Sequence, residues 1–184
     1  MRGHLIWLAP LALALALALA GCKKGSVDLK NASVDEVAAR MQDSGVAAAS
    51  LKPGLWRATL KLEKVSAPGM PEVEAQLGQS AGQARTMAEC LTEQYASKPF
   101  DRFTEGLADD CRYEFFKMGD GVIDNKLVCN GPGGSRTIAT KGSYDRETYT
   151  LKINSDTRGG AIPHAIMDVS LQATRVGDCP KSKS

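Results

Sequence analysis

The chain has 184 residues, with 23 Lys and Arg against 21 Asp and Glu and a formal charge of +2. That near-balance leaves no basic stripe of the kind phosphate neutralisation requires, so nucleic-acid binding is excluded. Aromatic residues make up only 5% of the chain, so its core has to be built mainly from Leu, Val, Ile, Met and Ala.

Arg2 and His4 precede an unbroken apolar run from Leu11 to Ala20, followed by small residues. Charged, apolar and small regions in that order make a secretory signal. Leu19-Ala20-Gly21-Cys22 resembles the lipobox of bacterial lipoproteins. The resemblance implies that Cys22 is alkylated by a diacylglycerol and becomes the first mature residue, joining the protein to a membrane. An uncleaved transmembrane anchor is the competing reading. The apolar stretch from Leu5 to Gly21 is short for a span, which needs about 20 residues. Two or three acyl chains anchor stably, whereas one holds marginally. Lys23 and Lys24 follow, with no Asp. By resemblance to Gram-negative sorting rules, that implies the outer membrane with the domain in the periplasm. Removing residues 1–21 leaves 22 Lys and Arg against 21 Asp and Glu, because only Arg2 is lost.

Residues 22–52 carry the lipidated Cys, a polar tether from Lys23 to about Ala32, and one short amphipathic helix. Ser33-Val34-Asp35-Glu36 matches a capping box. Val34, Val37, Ala38 and Met41 share one helical stripe, and Gly45 stands where a C-cap belongs. The helix is acidic up to Arg40, which favours packing on the domain over lying on a membrane.

The domain proper spans 53–180, with a short tail at 181–184. Trp56, Ala58, Leu60 and Leu62 alternate with Arg57, Thr59, Lys61 and Glu63, predicting a half-buried strand with the Trp inward. From Ala67 to Ala84 the composition predicts a loop, with a strand around Val73. Arg85 to Leu91 is extended, and Thr92 caps a short helix that Pro99 stops, with Phe100 and Phe103 placed to pack. Cys111 to Phe116 and Ile123 to Cys129 flank Gly119-Asp120-Gly121, a hairpin signal. Centring the turn on Asp120 sets Cys111 opposite Cys129, Tyr113 opposite Leu127 and Phe115 opposite Asn125. Cross-strand neighbours are close enough to be bridged. Cys111–Cys129 is therefore the expected disulfide, which leaves Cys90–Cys179. A zinc site is the alternative, but there is no C-x-x-C pair, and His164 is the only imidazole after cleavage. Gly131-Pro132-Gly133-Gly134 turns into a strand from Arg136 to Ser143. Strands at Thr148–Asn154 and Met167–Thr174 flank an Asp156–His164 loop. The expected fold is all-β with minor helices: an antiparallel meander of about 6–8 strands, in a curled sheet or partly closed barrel, with a lipocalin-like alternative.

Gly54-Leu55-Trp56, Pro68-Gly69-Met70-Pro71, Cys90-Leu91-Thr92, Asp110-Cys111, Cys129, Gly142, Tyr149 and Gly177-Asp178-Cys179, in that order, resemble the bacterial family called domain of unknown function 3617. The resemblance covers about Lys52 to Pro180. It implies an exported protein of Gram-negative bacteria and brings no catalytic or binding residues with it. Gly54-x-Trp56 is also similar to the opening of lipocalins.

The chemistry-bearing residues make no recognisable constellation. His164 reads as a loop histidine. Asp109, Asp110 and Asp120 suit turns, Asp124 faces solvent, and no carboxylate pair is held in a pocket. There is no G-x-S-x-G elbow, the Gly131–Gly134 run lacks the Lys-Ser/Thr of a P-loop, and Asp120 to Asn125 fails the calcium-loop spacing. The expectation is a non-enzymatic module with no cofactor and no metal. It binds a small apolar ligand or lipid, with Trp56, Leu60, Tyr113 and Tyr149 lining the site, or it docks on another envelope component.

Overall fold

The computed structural model describes residues 25–46, 51–97, 110–160 and 163–180. The expected signal segment, Cys22, Phe100, Phe103, Asp109 and the tail at 181–184 lie outside the described residues. Eight antiparallel strands form one sheet: β1 (Val27–Ser33), β2 (Gly54–Ser66), β3 (Ala84–Leu91), β4 (Cys111–Gly119), β5 (Val122–Gly131), β6 (Gly134–Tyr144), β7 (Thr148–Arg158) and β8 (His164–Gly177). Among the described residues the helices with given bounds are α1 (Val34–Asp43), α2 (Pro71–Gly78) and α3 (Glu93–Ser97).

The spatial order is β1-β4-β5-β6-β7-β8-β2-β3. Only β4 to β8 form the expected meander. The β2–β3 hairpin adds to β8 and β1 adds to β4, so both flanks are non-local. The sheet is open, because β1 and β3 are its edges and do not pair with each other. The lipocalin-like closure therefore does not occur.

Three local readings change. The tether is a strand: Val27 pairs with Met118 and Leu29 with Phe116, and Asn31 takes a left-handed φ of 50° before Ala32 returns to pair with Tyr113. The 67–84 segment holds a helix rather than a strand, with Pro71 in its first turn beside Glu72 and Glu74. Pro suits that position because its missing N–H would have no partner there. The hairpin also slips by one. Asp120 and Gly121 both have positive φ, 49° and 78°, so they form a two-residue turn that pairs Gly119 with Val122. A bulge at Glu114 absorbs the offset, so Cys111 and Tyr113 still face Cys129 and Leu127. Beyond it, Phe115 faces Lys126 and Phe116 faces Asn125, in place of the expected Phe115–Asn125 pair. The bulge brings both Tyr113 and Phe116 to the core face.

α1 forms as its sequence dictates. The Ser33 hydroxyl accepts from Glu36 N–H at 3.1 Å, and Gly45 at φ 68° follows its end. Its apolar stripe lies on one half of the sheet, where Val37 and Met41 join Val27, Ala32, Cys111, Tyr113, Phe116, Met118, Ile123 and Leu127 in the core. Phe116 has no solvent exposure. Helix and sheet bury each other's apolar faces there.

The strands run between two poles. At the first lie Gly25, the Asp120-Gly121 turn, the β6–β7 turn, the start of β2 and the Cys90–Cys179 bridge. At the second lie the start of α1, the Cys111–Cys129 bridge, the Gly131–Gly134 turn and the β7–β8 connection.

Candidate functional site

The α1-bearing face of the sheet continues past the core onto β7, β8, β2 and β3. Cross-strand rows there are apolar on β7, β8 and β2: Ile153 faces Val169, which faces Leu62; Leu151 faces Leu171, which faces Leu60; Ala173 faces Ala58. β3 adds Met87 opposite Ala58, with Arg85 opposite Leu60 and Glu89 opposite Trp56. Paired residues in an antiparallel ladder share a face, so these rows make one strip across three strands, with β3 at its margin. Leu60, Leu62, Ile153, Val169 and Leu171 are only half-buried, and Met87 is 49% exposed. The opposite face is polar, with Lys61 bonded to Glu63, Glu63 to Ser170 and Asn154 to Asp168.

Trp56 and Tyr149 stand at the first-pole end of this strip, their rings 5.7 Å apart and tilted by 32°. Trp56 is buried, and its indole N–H donates to the Lys52 carbonyl at 3.0 Å. Gly54 is required at the adjoining corner. It has φ 144°, and a Cβ there would lie 2.4 Å from the Gly177 carbonyl and 2.5 Å from the Arg175 guanidinium. Arg175 uses that space to donate to the Pro53 carbonyl at 2.7 Å and to reach Asp178. Burial pushes the Tyr149 phenol up, and the nearby Glu89 charge adds to it. Burial alone does the same for Tyr113.

Of the four expected lining residues, Trp56, Leu60 and Tyr149 share the strip. Tyr113 does not: it packs under α1, edge-on to Phe116 at 5.2 Å between ring centres. Two cavities lie elsewhere. One of about 960 Å³ opens at the first pole between Gly25, Lys52, Gly121, Tyr144, Arg146 and Thr148. One of about 230 Å³ lies at the second pole beside Asp110, Cys129 and Arg136. Neither is lined by Trp56, Leu60, Tyr113 or Tyr149.

Both disulfides form as the sequence implied, Cys111–Cys129 and Cys90–Cys179, separated by 18 and 89 residues. The second spans the start of β2, since Leu55 pairs with Cys90 on one side and Gly177 on the other.

The polar groups serve local structure. Asp145 accepts from the N–H groups of Glu147 and Thr148, both at 2.7 Å, which holds its carboxyl below the usual range and fixes the β6–β7 turn. Glu63 is lowered by hydrogen bonds from Lys61 and Ser170. The pairing of Arg158 with His164 brings His164 Nε2 to 3.1 Å from Asp156, whose carboxyl is held low chiefly by Arg158. Sequence reading missed this cluster because it took 156–164 as loop. Asp124 pairs with Lys141 at 3.4 Å on the outer face. Among the described residues, no three His, Cys, Asp or Glu side chains converge as a metal-binding group, and no helix is long and apolar enough to cross a membrane.

No curated protein and no solved structure matches the chain. A family profile described as "Protein of unknown function (DUF3617)" matches residues 51–179, from the residues just before β2 to the second disulfide. That match takes in the Gly54–Trp56 corner, both bridges and the whole apolar strip, and the chain belongs to this family.

Proposed function

We propose that the protein is a lipid-anchored envelope module that holds a small apolar ligand or lipid in the periplasm, on the strip formed by β7, β8 and β2. The observation that carries this reading is the uneven cover of one continuous apolar face. Under α1 its side chains are buried, whereas Leu60, Leu62, Val169 and Leu171 remain half-open beside an aromatic pair. Binding sites for apolar molecules combine such a surface with a few polar groups at one end, here Tyr149 and Glu89. Glu63, Asp124, Asp145 and Asp156 serve turns and surface pairs, so the reading is of a binding protein rather than an enzyme.

Native mass spectrometry of the protein released from membranes, before and after denaturation, tests this. A small mass should accompany the wild type, vanish on denaturation, and be missing from a folded Leu171→Glu variant. Equal apo masses for both proteins would overturn ligand binding. The second reading, docking on another envelope component, is favoured by β3. Six of its eight residues are exposed and it is the last strand of the described sheet, which suits strand addition by a partner.

A further inference from the structure

We infer that the first pole of the sheet is seated on the membrane surface, among the lipid headgroups. This inference rests on the lipid anchor at Cys22 and deepens it into an orientation. The first observation is length. β1 begins at Val27, inside the ten residues that the sequence presents as a tether. Cys22 precedes Gly25 by three residues, a reach of about 11 Å at full extension. Gly25 itself is fixed at the first pole, where it lines the 960 Å³ cavity with Gly121 and Arg146, and Ser26 lies against Gly119. Acyl chains on Cys22 therefore bring this pole, among the described parts of the domain, to the bilayer.

The surface at that pole is the second, independent observation. Four large apolar side chains are exposed on the described domain, and three of them are there. Val122 starts β5 (56% exposed), Val176 is the last residue but one of β8 (44%), and Tyr95 stands on α3 just beyond β3 (45%). Tyr and short apolar residues on a polar background suit the headgroup zone. Asp120, Glu89 and Glu93 also lie at this pole, and three further carboxylates there are engaged. Glu147 pairs with Lys52, Asp178 with Arg175, and Asp145 is turned onto its own loop's backbone. Arg146 lies on the rim, and the sequence adds Lys23 and Lys24 beside the anchor, which suits anionic lipid.

The test uses the mature lipidated protein in vesicles of phosphatidylethanolamine and phosphatidylglycerol, with some lipids carrying a headgroup nitroxide. A fluorophore is attached at Glu147→Cys at the first pole or Asn130→Cys at the second; the paired cysteines and the acylated Cys22 do not react. The 11 residues of β7 put the poles about 35 Å apart. Quenching should be at least fivefold stronger at 147 than at 130, and Val122→Glu should reduce it while leaving the unfolding midpoint unchanged. Equal quenching at both positions, or stronger quenching at 130, overturns the seating while leaving the anchor intact. An N-terminal peptide without the mass of its acyl chains overturns anchor and seating together.

Discussion

Phe115 and Phe116 are neighbours that simple alternation sorts the wrong way. Counting by twos from Cys111 and Tyr113 puts Phe115 on the core face, whereas the bulge at Glu114 turns Phe116 inward. Phe116 has no exposure, while Phe115 is half-buried on the other side of the sheet. Truncating Phe116 to Ala removes roughly 100 Å² of buried apolar surface, about 2.5 kcal/mol in transfer free energy. A cavity of roughly 80 Å³ beneath α1 adds about 2 kcal/mol before the surroundings relax. Val37 and Met41 pack in the same cluster and settle partly into the gap, so about 4 kcal/mol is expected overall. Phe115→Ala should cost about 1 kcal/mol, because most of what it loses was never fully out of water. Urea unfolding of the disulfide-intact variants measures both, provided the m-values match. A Phe115→Ala cost equal to or above that of Phe116→Ala would refute the bulge and the register built on it.

Gly54→Ala should lower stability by about 2–3 kcal/mol, because its Cβ meets the Gly177 carbonyl and the Arg175 guanidinium at a left-handed φ. Thermal melts followed by Trp56 emission would show it. Removing Cys90–Cys179 should cost more than removing Cys111–Cys129, about 4.5 against 3 kcal/mol from loops of 89 and 18 residues. Paired Cys→Ala variants in urea check the order. The carboxyls of Glu63, Asp145 and Asp156 are depressed in the folded state below their ordinary values of 4.5, 3.8 and 3.8. Their stabilisation is therefore complete above those values and is lost as pH falls through the lower folded ones. The melting temperature should drop in that acid window, and Asp145→Asn, which keeps an oxygen acceptor for the turn, should flatten the drop.

The β4 to β8 hairpins were legible because each is local: a turn signal lies between two runs of alternating residues. The two flanks were not, because nothing near Val27 or Gly54 says which distant strand it will join. β1 was hidden by its own composition. Val27 and Leu29 do alternate with Asp28 and Lys30, but Asn31 breaks the period and polar residues dominate. α2 buries none of its side chains, so no stripe marks it, and only Pro71 with Glu72 and Glu74 betrays it. The Asp120-Gly121 dipeptide did specify a two-residue turn. Taking Asp120 as its centre reached the cysteine pair only because the bulge restores that register. At the candidate site, Trp56, Leu60 and Tyr149 were visible as inward positions. The separation of Tyr113 from them depends on where α1 lands, which no alternation within one strand can show.

The two bridges are nested, one loop lying inside the other. In order of synthesis Cys90 meets Cys111 first, and pairing in sequence would leave Cys129 for Cys179. The native arrangement needs the β4–β5 ladder to align Cys111 with Cys129 while Cys90 waits for Cys179 to be delivered. Ladder formation takes microseconds, whereas oxidation takes seconds or longer, so strand pairing can choose the inner bridge before the chemistry does. Any chain oxidised sequentially is trapped with two wrong crosslinks, and only thiol–disulfide exchange releases it. A chain whose β4–β5 ladder forms before oxidation reaches both native bridges directly, so the nested cysteine order turns maturation into a race between strand pairing and the oxidant.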